Sequence, residues 1–258
     1  MNITQIRNAT QLITFGHKTF LVDPMLAPQR AYPGFAGTAR AEIRNPTVEL
    51  PCSIDTLLKA DALIVTHLHE DHWDEAAART IPKDKPVYVQ NAQDAQTLRD
   101  QGFTRLTVLS DNTVLGDITL HKTGGQHGSD RAYAIPQMAE RLGEACGVIF
   151  QHPEEKTLYL VGDTIWRDEV ETAMSTFQPD VVVVNAGFAH VLGFGPIIMG
   201  AEDVLKTHFA LPQAQIVATH MEAINHCLLT RDALRQYARD NQIAGFVNVP
   251  EDGETLTF

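Results

Sequence analysis

Cysteine is scarce in this chain: Cys52, Cys146 and Cys227 are the only three in 258 residues, an odd number set far apart. That usage excludes a disulfide framework and a thiolate zinc knuckle, so the three read as reduced thiols. Basic side chains are also in deficit, with 20 Lys and Arg against 32 Asp and Glu and a formal net charge of −12. Such an excess repels a phosphate backbone, and no basic arm offsets it, which ranks nucleic acid below small molecules as a partner. Long apolar runs are missing, and none approaches the roughly 20 residues that span a bilayer. The stretch Met1–Thr10 lacks the basic and apolar regions of a signal peptide, so the expectation is a cytoplasmic protein with no membrane partner. Repeats of about 20–50 residues, low-complexity tracts and Ser/Gly-rich linkers are absent too, and residues 1–258 read as one domain.

What the chain does have is apolar material for a large core, 44 % hydrophobic against 20 % charged residues, and 11 histidines. Gln11–Phe15 and Thr19–Val22 read as a β-hairpin that stops at Asp23-Pro24. Prolines at 24, 28, 33, 46 and 51 then mark a long irregular loop, the kind that is often functional. Four apolar runs share one grammar, each a buried strand ending at a polar residue. They are Ala62–Thr66 before His67, Thr157–Val161 before Gly162-Asp163, Val181–Val184 before Asn185, and Gln215–Thr219 before His220. Further strands are expected at Val87–Gln90, Leu106–Leu109, Ile118–Lys122 and Val148–Gln151. Helical patterns occupy Asp74–Thr80, Gln93–Gln101, Asp168–Phe177, Ala201–Ala210 and Arg231–Asn241, the last with Thr230 as N-cap. Strands interleaved with amphipathic helices imply an α/β sandwich with sheets inside and helices outside.

The densest chemical signal is His67-Leu68-His69-Glu70-Asp71-His72, which directly follows an apolar strand. Imidazoles and a carboxylate at this spacing form a borderline-soft donor set suited to zinc, with manganese or iron also compatible. Alternation points His67 and His69 the same way, leaving Asp71 and His72 to turn toward a second ion. Two metals sharing a water would lower its pKa and clamp an oxyanion, so hydrolysis is the favoured chemistry.

This loop resembles the signature of the metallo-β-lactamase superfamily, in which a distant His, Asp and His follow. His127 in Gly124-Gly125-Gln126-His127-Gly128, Asp163 in Gly162-Asp163-Thr164 and His220 in Ala218-Thr219-His220 match those positions in order. The resemblance implies that His67, His69 and His127 hold one divalent ion, that Asp71, His72 and His220 hold another, and that Asp163 bridges them. It also implies a four-layer αββα sandwich covering essentially the whole chain, with homo-oligomers as a family-level expectation. The expected mechanism is attack by a metal-bridging hydroxide, with Asp71 or Asp163 orienting it and accepting a proton.

Within the superfamily, the lack of an export signal disfavours a secreted β-lactamase, and His69 stands where a flavodiiron protein has glutamate. The Asp23-Pro24 turn, the His-Leu-His-x-Asp-His-Trp-Asp loop and the short Gly-Asp-Thr resemble the subgroup containing L-ascorbate-6-phosphate lactonase. That resemblance implies a small anionic substrate, a lactone or phosphoester. The substrate-contact candidates are His226, Asn225, His190 and Arg131, with Arg30, Arg40 and Arg44 as further anion contacts. Residues 187–196, rich in glycine and aromatics, read as a pocket-lining loop, and Cys227 as a small buried hydrophobe. A phosphodiesterase or nuclease of the same superfamily and a non-catalytic metal or ligand sensor are the alternative readings.

Overall fold

The computed structural model describes all residues, Met1–Phe258. Six strands open the chain in one sheet: β1 (Asn2–Arg7), β2 (Thr10–Phe15), β3 (Lys18–Val22), β4 (Ala62–Val65), β5 (Val87–Val89) and β6 (Leu106–Val108). A second sheet is built from β7 (Thr113–Leu115), β8 (Ile118–Thr123), β9 (Gly147–Gln151), β10 (Leu158–Leu160) and β11 (Val181–Asn185). After a two-stranded ribbon of β12 (His190–Val191) and β13 (Gly195–Pro196), β14 (Gln215–Thr219) and β15 (Val247–Asn248) complete that sheet. The last strand, β16 (Thr255–Thr257), returns to pair with β1, giving the orders β16-β1-β2-β3-β4-β5-β6 and β15-β14-β11-β10-β9-β8-β7. The helices are α1 (Ile54–Leu57), α2 (Glu75–Thr80), α3 (Ala92–Asp100), α4 (Asp130–Tyr133), α5 (Pro136–Leu142), α6 (Asp168–Phe177), α7 (Ala201–Ala210) and α8 (Arg231–Asp240).

The period-2 alternation of side chains decides the layering. In β3 and β4, Phe20, Val22, Ala62 and Ile64 face the second sheet, while Leu21, Leu63 and Val65 face Leu57, Ala77 and Leu98 of α1, α2 and α3. In β11, Val181 and Val183 face the first sheet, whereas Val182 and Val184 pack under Val170, Val204 and Leu234 of α6, α7 and α8. Both faces of these strands are therefore buried, which is why they read as unbroken apolar runs. Phe15 and Phe20 meet Phe150 edge-on at 5.6 and 5.5 Å between ring centroids and lock the two sheets together. The result is the expected four-layer αββα sandwich.

The second sheet aims its strands at one edge. β10, β11 and β14 are parallel, and β8 runs the same way because it is antiparallel to β9, which is antiparallel to β10. The carboxyl ends of these four strands, with that of β4 from the first sheet, deliver the polar residues of the site. Expected and observed elements agree there. They differ at β1, whose buried Gln5 and Arg7 break the apolar alternation, and at strands and helices too short to show a period. No helix is long and apolar enough to cross a membrane.

Candidate metal centre

Each candidate ligand sits just past a strand end, where a rigid sheet can hold a side chain in a fixed direction. His67 and His69 follow β4, His127 follows β8, Asp163 follows β10 and His220 follows β14. His67 Nε2 lies 3.0 Å from His69 Nδ1. His72 Nε2 lies 3.1 Å from His220 Nε2, and His220 Nε2 lies 3.3 Å from Asp71 Oδ2. Asp163 Oδ2 stands between the two sets, 3.1 Å from His72 Nε2, 3.5 Å from His220 Nε2, 3.6 Å from His127 Nε2 and 3.9 Å from His67 Nε2. Three groups have their donor atoms within 4.8 Å of one another: His67/His69/His127, His67/His72/Asp163 and Asp71/His72/His220. All seven residues read from the sequence are thus brought together.

The outer nitrogens of the imidazoles are already occupied. His127 Nδ1 donates to the Ile197 carbonyl at 2.8 Å and His69 Nε2 to the Arg141 carbonyl at 3.0 Å, so the other nitrogen of each ring presents a lone pair inward. His72 Nδ1 meets Asp23 Oδ2 at 2.8 Å, a carboxylate that also accepts the Thr66 N–H and hydroxyl, both at 2.7 Å. His67 Nδ1 meets Thr66 Oγ1 at 3.2 Å and His220 Nδ1 meets Cys227 Sγ at 3.4 Å. Inward lone pairs beside two buried carboxylates fit a divalent cation, and outer partners that fix each ring's orientation are what such a site requires.

Electrostatics point the same way. Burial disfavours a charged His72, yet Asp163, Asp23 and Asp71 push its pKa up to about 10. Burial likewise opposes ionisation of Asp163 and Asp71, but His72 and His220 hold both well below the usual carboxylate range. His127 goes the other way, its pKa pushed down by burial to about 4. The buried acids therefore call for positive charge at the centre of the cluster.

A tier of amides lies beneath. Asn185 Nδ2 donates to Asp163 Oδ1 at 2.6 Å, leaving Oδ2 to face the centre, and Asn185 Oδ1 in turn accepts from Thr219 Oγ1 at 3.0 Å. Asn8, in the β1–β2 turn at φ 55°, donates to the Asp71 carbonyl at 3.1 Å and accepts from the His220 N–H at 3.1 Å. Left-handed backbone also occurs at Asp23 (φ 43°) and His220 (φ 59°), as is common where function dictates geometry. At Gly187 a Cβ would fall 1.9 Å from the His220 carbonyl oxygen, so only glycine admits the loop after β11 this close.

A cavity of about 130 Å³ opens above the centre, walled by Phe35, Leu142, Val191, Ile197 and His226. Of the expected substrate contacts, His226 is in that wall, 5 % exposed. Asn225 is corrected to a structural role, because its amide is filled by protein groups. Asn225 Oδ1 accepts from Phe35 N at 3.1 Å and Asn45 Nδ2 at 2.8 Å, and its Nδ2 donates to Thr38 Oγ1 at 2.9 Å and the Ala39 carbonyl at 2.7 Å. His190 meets Phe188 edge-on at 4.5 Å, and the alternation of β12 turns Val191 rather than His190 into the cavity. Arg131 lies over the Phe194 ring at 5.8 Å, outside the cavity lining. Arg40 donates to the Asn225 carbonyl at 2.8 Å and to that of Cys227, and Arg44 to the carbonyls of Arg30 and Ala31, both at 2.8 Å. These arginines brace the long loop, and Arg30 is likewise not in the cavity wall. The arginine at the cavity is Arg141, on α5, which no local pattern singles out.

An αββα sandwich with a His/Asp cluster at the carboxyl ends of its strands defines a class, the metal-dependent hydrolases of the β-lactamase fold. The beta-lactamase superfamily domain model matches residues 18–221, and the chain belongs to that superfamily. It is 44 % identical over 259 residues to the UPF0173 protein YddR of Bacillus subtilis, covering 100 % of each chain. More distant relatives are described as UPF0173 metal-dependent hydrolases. Among solved structures, the isothiocyanate hydrolase from Delia radicum gut bacteria superposes with a TM-score of 0.99 at 49 % identity, over 100 % of this chain and 99 % of that one. A possible metal-dependent hydrolase from Veillonella parvula superposes with a TM-score of 0.98 at 45 % identity, with the same coverage.

Proposed function

We propose that this metal-dependent hydrolase acts on a small electrophilic carbon in an uncharged substrate, with isothiocyanates as the substrate class. Water adds to the central carbon, the C–N bond breaks, and an amine and carbonyl sulfide leave. The observation that carries this reading is the cavity. It is small, Phe35, Leu142, Val191 and Ile197 give it an apolar wall beside the His/Asp cluster, and four of the five arginines that could have served an anionic substrate lie outside it. The full-length likeness to an isothiocyanate hydrolase supports the same class.

In this reading His67, His69 and His127 would hold one divalent ion and Asp71, His72 and His220 a second, with Asp163 as a ligand placed between the two sets. Zinc suits the nitrogen and oxygen donors, and manganese or iron is compatible with them. When bound, the metals supply Lewis acidity and lower the pKa of water. The chain's own residues do the rest. Asp71 or Asp163, the two carboxylates buried in the cluster, would orient the water and accept its proton. Asp23, Asn185 and the Ile197 and Arg141 carbonyls hold the ligand set in place, while Leu142, Val191 and Ile197 limit bulk water at the reacting carbon.

One observation keeps a second reading, a lactone or phosphoester with an anionic group. Arg141 is exposed at the cavity and can meet such a group at its mouth. Metal content by plasma mass spectrometry, with turnover of phenethyl isothiocyanate, a lactone panel and bis(p-nitrophenyl) phosphate, separates the two. Near two equivalents and metal-dependent amine release support the proposal. Turnover of the lactones or phosphodiester alone replaces its substrate class, and protein that takes up no metal removes the site.

A further inference from the structure

Most polar groups on the cavity wall belong to the centre, are bonded within the chain, or are half-buried or exposed. His69, Asp71, His127 and Asp163 belong to the centre. Thr38 Oγ1 donates to the Phe35 carbonyl at 2.6 Å and accepts from Asn225. Arg141 is exposed and bonded to the Ala36 carbonyl. Glu70 is half-buried and, as a carboxylate, only accepts. His226 differs from all of these. The residue is 5 % exposed in the cavity wall, and neither ring nitrogen has a hydrogen-bond partner in the chain, Nδ1 being fully enclosed. Buried polar groups in folded proteins are almost always paired, so an unpartnered imidazole on a cavity wall is open to the hydrogen-bonding atom of a ligand.

The ring is not loose. Phe35 meets it edge-on at 5.1 Å and 87°, the His226 carbonyl accepts from His190 N at 3.1 Å, and the Asn225 amide next door ties the loop bearing Phe35 and Thr38 to this segment. An oriented imidazole with a free nitrogen, set in an apolar wall beside the reactive centre, is a preformed hydrogen-bonding group for a small ligand. The geometry points to His226 as a substrate-binding residue that hydrogen-bonds a heteroatom of the N=C=S group while the central carbon faces Asp71 and Asp163. This deepens the isothiocyanate reading and rests on it. Burial pushes the ring's pKa down to about 4, so it is neutral when it makes that bond and suits an uncharged cumulene.

The test uses the metal-loaded enzyme as wild type, His226→Phe and His226→Asn. Phe keeps the edge-on packing against Phe35 and removes the nitrogens, whereas Asn keeps a polar hydrogen-bonding group on the cavity wall. Phenethyl isothiocyanate turnover reports on the substrate, and calorimetry with thiocyanate ion, a linear triatomic probe carrying the same atoms, reports on the subsite without turnover. Expected for His226→Phe is a loss of about tenfold or more in kcat/KM, carried mainly by KM, and a similar loss in thiocyanate affinity. Metal content and Tm stay at wild-type values, and His226→Asn recovers part of both losses. Unchanged kcat/KM and thiocyanate affinity in His226→Phe would overturn the assignment, as would the loss of a metal equivalent, which would make His226 a ligand. A wild type inert toward isothiocyanates removes the substrate class, and the thiocyanate titration then decides the role of His226 by itself. Should His226→Phe fail to fold, the same comparisons on His226→Asn decide it.

Discussion

The floor and the rim of the cavity are built on different principles. The floor is a set of strand-end side chains, each with one atom facing inward and another tied to a neighbour, as in His72 between Asp163 and Asp23 or Asp163 between His72 and Asn185. The rim is assembled from Phe35 and Thr38 on the long loop, Leu142 at the end of a short helix, Val191 and Ile197 at the ribbon and His226 on a turn. What joins the rim is mostly a handful of amide contacts. In the proposed function the floor is therefore the part that would fix reaction type, and the rim the part that would set substrate.

The sharpest break in this comparison is Asp163→Ala, since Asp163 Oδ2 is the one atom within reach of four candidate ligand imidazoles. Expected is the loss of nearly all turnover and of at least one metal equivalent, read by plasma mass spectrometry and steady-state assay. Both metals retained with full turnover would show that the bridging assignment is wrong. Asp23→Asn is the next step down. Three donors converge on the Asp23 carboxylate, and an amide can accept only at its oxygen, so one of the Thr66 or His72 donors would face an N–H. Metal affinity should fall about 10–100-fold in a chelator competition, with the fold intact.

How far this division is legible in the sequence follows from chain distance. His67 to His72 are local, and Asp163 and His220 end apolar runs with an obvious strand pattern, so the centre and the αββα layering can be read from the chain alone. Asp23 is visible as a turn residue, but its bond to His72 spans 49 positions and leaves no pattern in the chain. The rim is harder still. Asn225 and Asn45 are 180 positions apart, and the two residues are joined through their amide groups only once both sheets are packed. Asn225 beside a histidine reads as a substrate pair, whereas its amide is spent holding the loop. The arginines mislead for the same reason, because a guanidinium that caps loop carbonyls looks no different in sequence from one that waits for an anion.

Rim variants should thus leave the metal alone. Asn225→Ala strands the Phe35 N–H, the Asn45 amide and the Ala39 carbonyl, with a stability loss of about 2–4 kcal/mol in denaturant unfolding. Phe35 and Thr38 lose their anchor, so KM rises while metal content holds. A loss of metal here would mean that floor and rim are not separable.

Arg141→Gln should have the smallest effect and is the most discriminating between substrate classes. Its carbonyl, which accepts from His69 Nε2, is backbone and survives the substitution, so the ligand geometry is kept. Its guanidinium is exposed and tied to the Ala36 carbonyl, a contact that a screened surface group can lose at a cost of about 1 kcal/mol or less. For an uncharged isothiocyanate the expected change in kcat/KM is less than about threefold, because no charge is being met. For an anionic lactone or phosphoester the same substitution removes the only Lys or Arg at the cavity, and KM should rise about tenfold or more, with a salt dependence that disappears in the variant. Steady-state kinetics of wild type and Arg141→Gln at two ionic strengths would assign the rim to one class or the other while the floor stays constant.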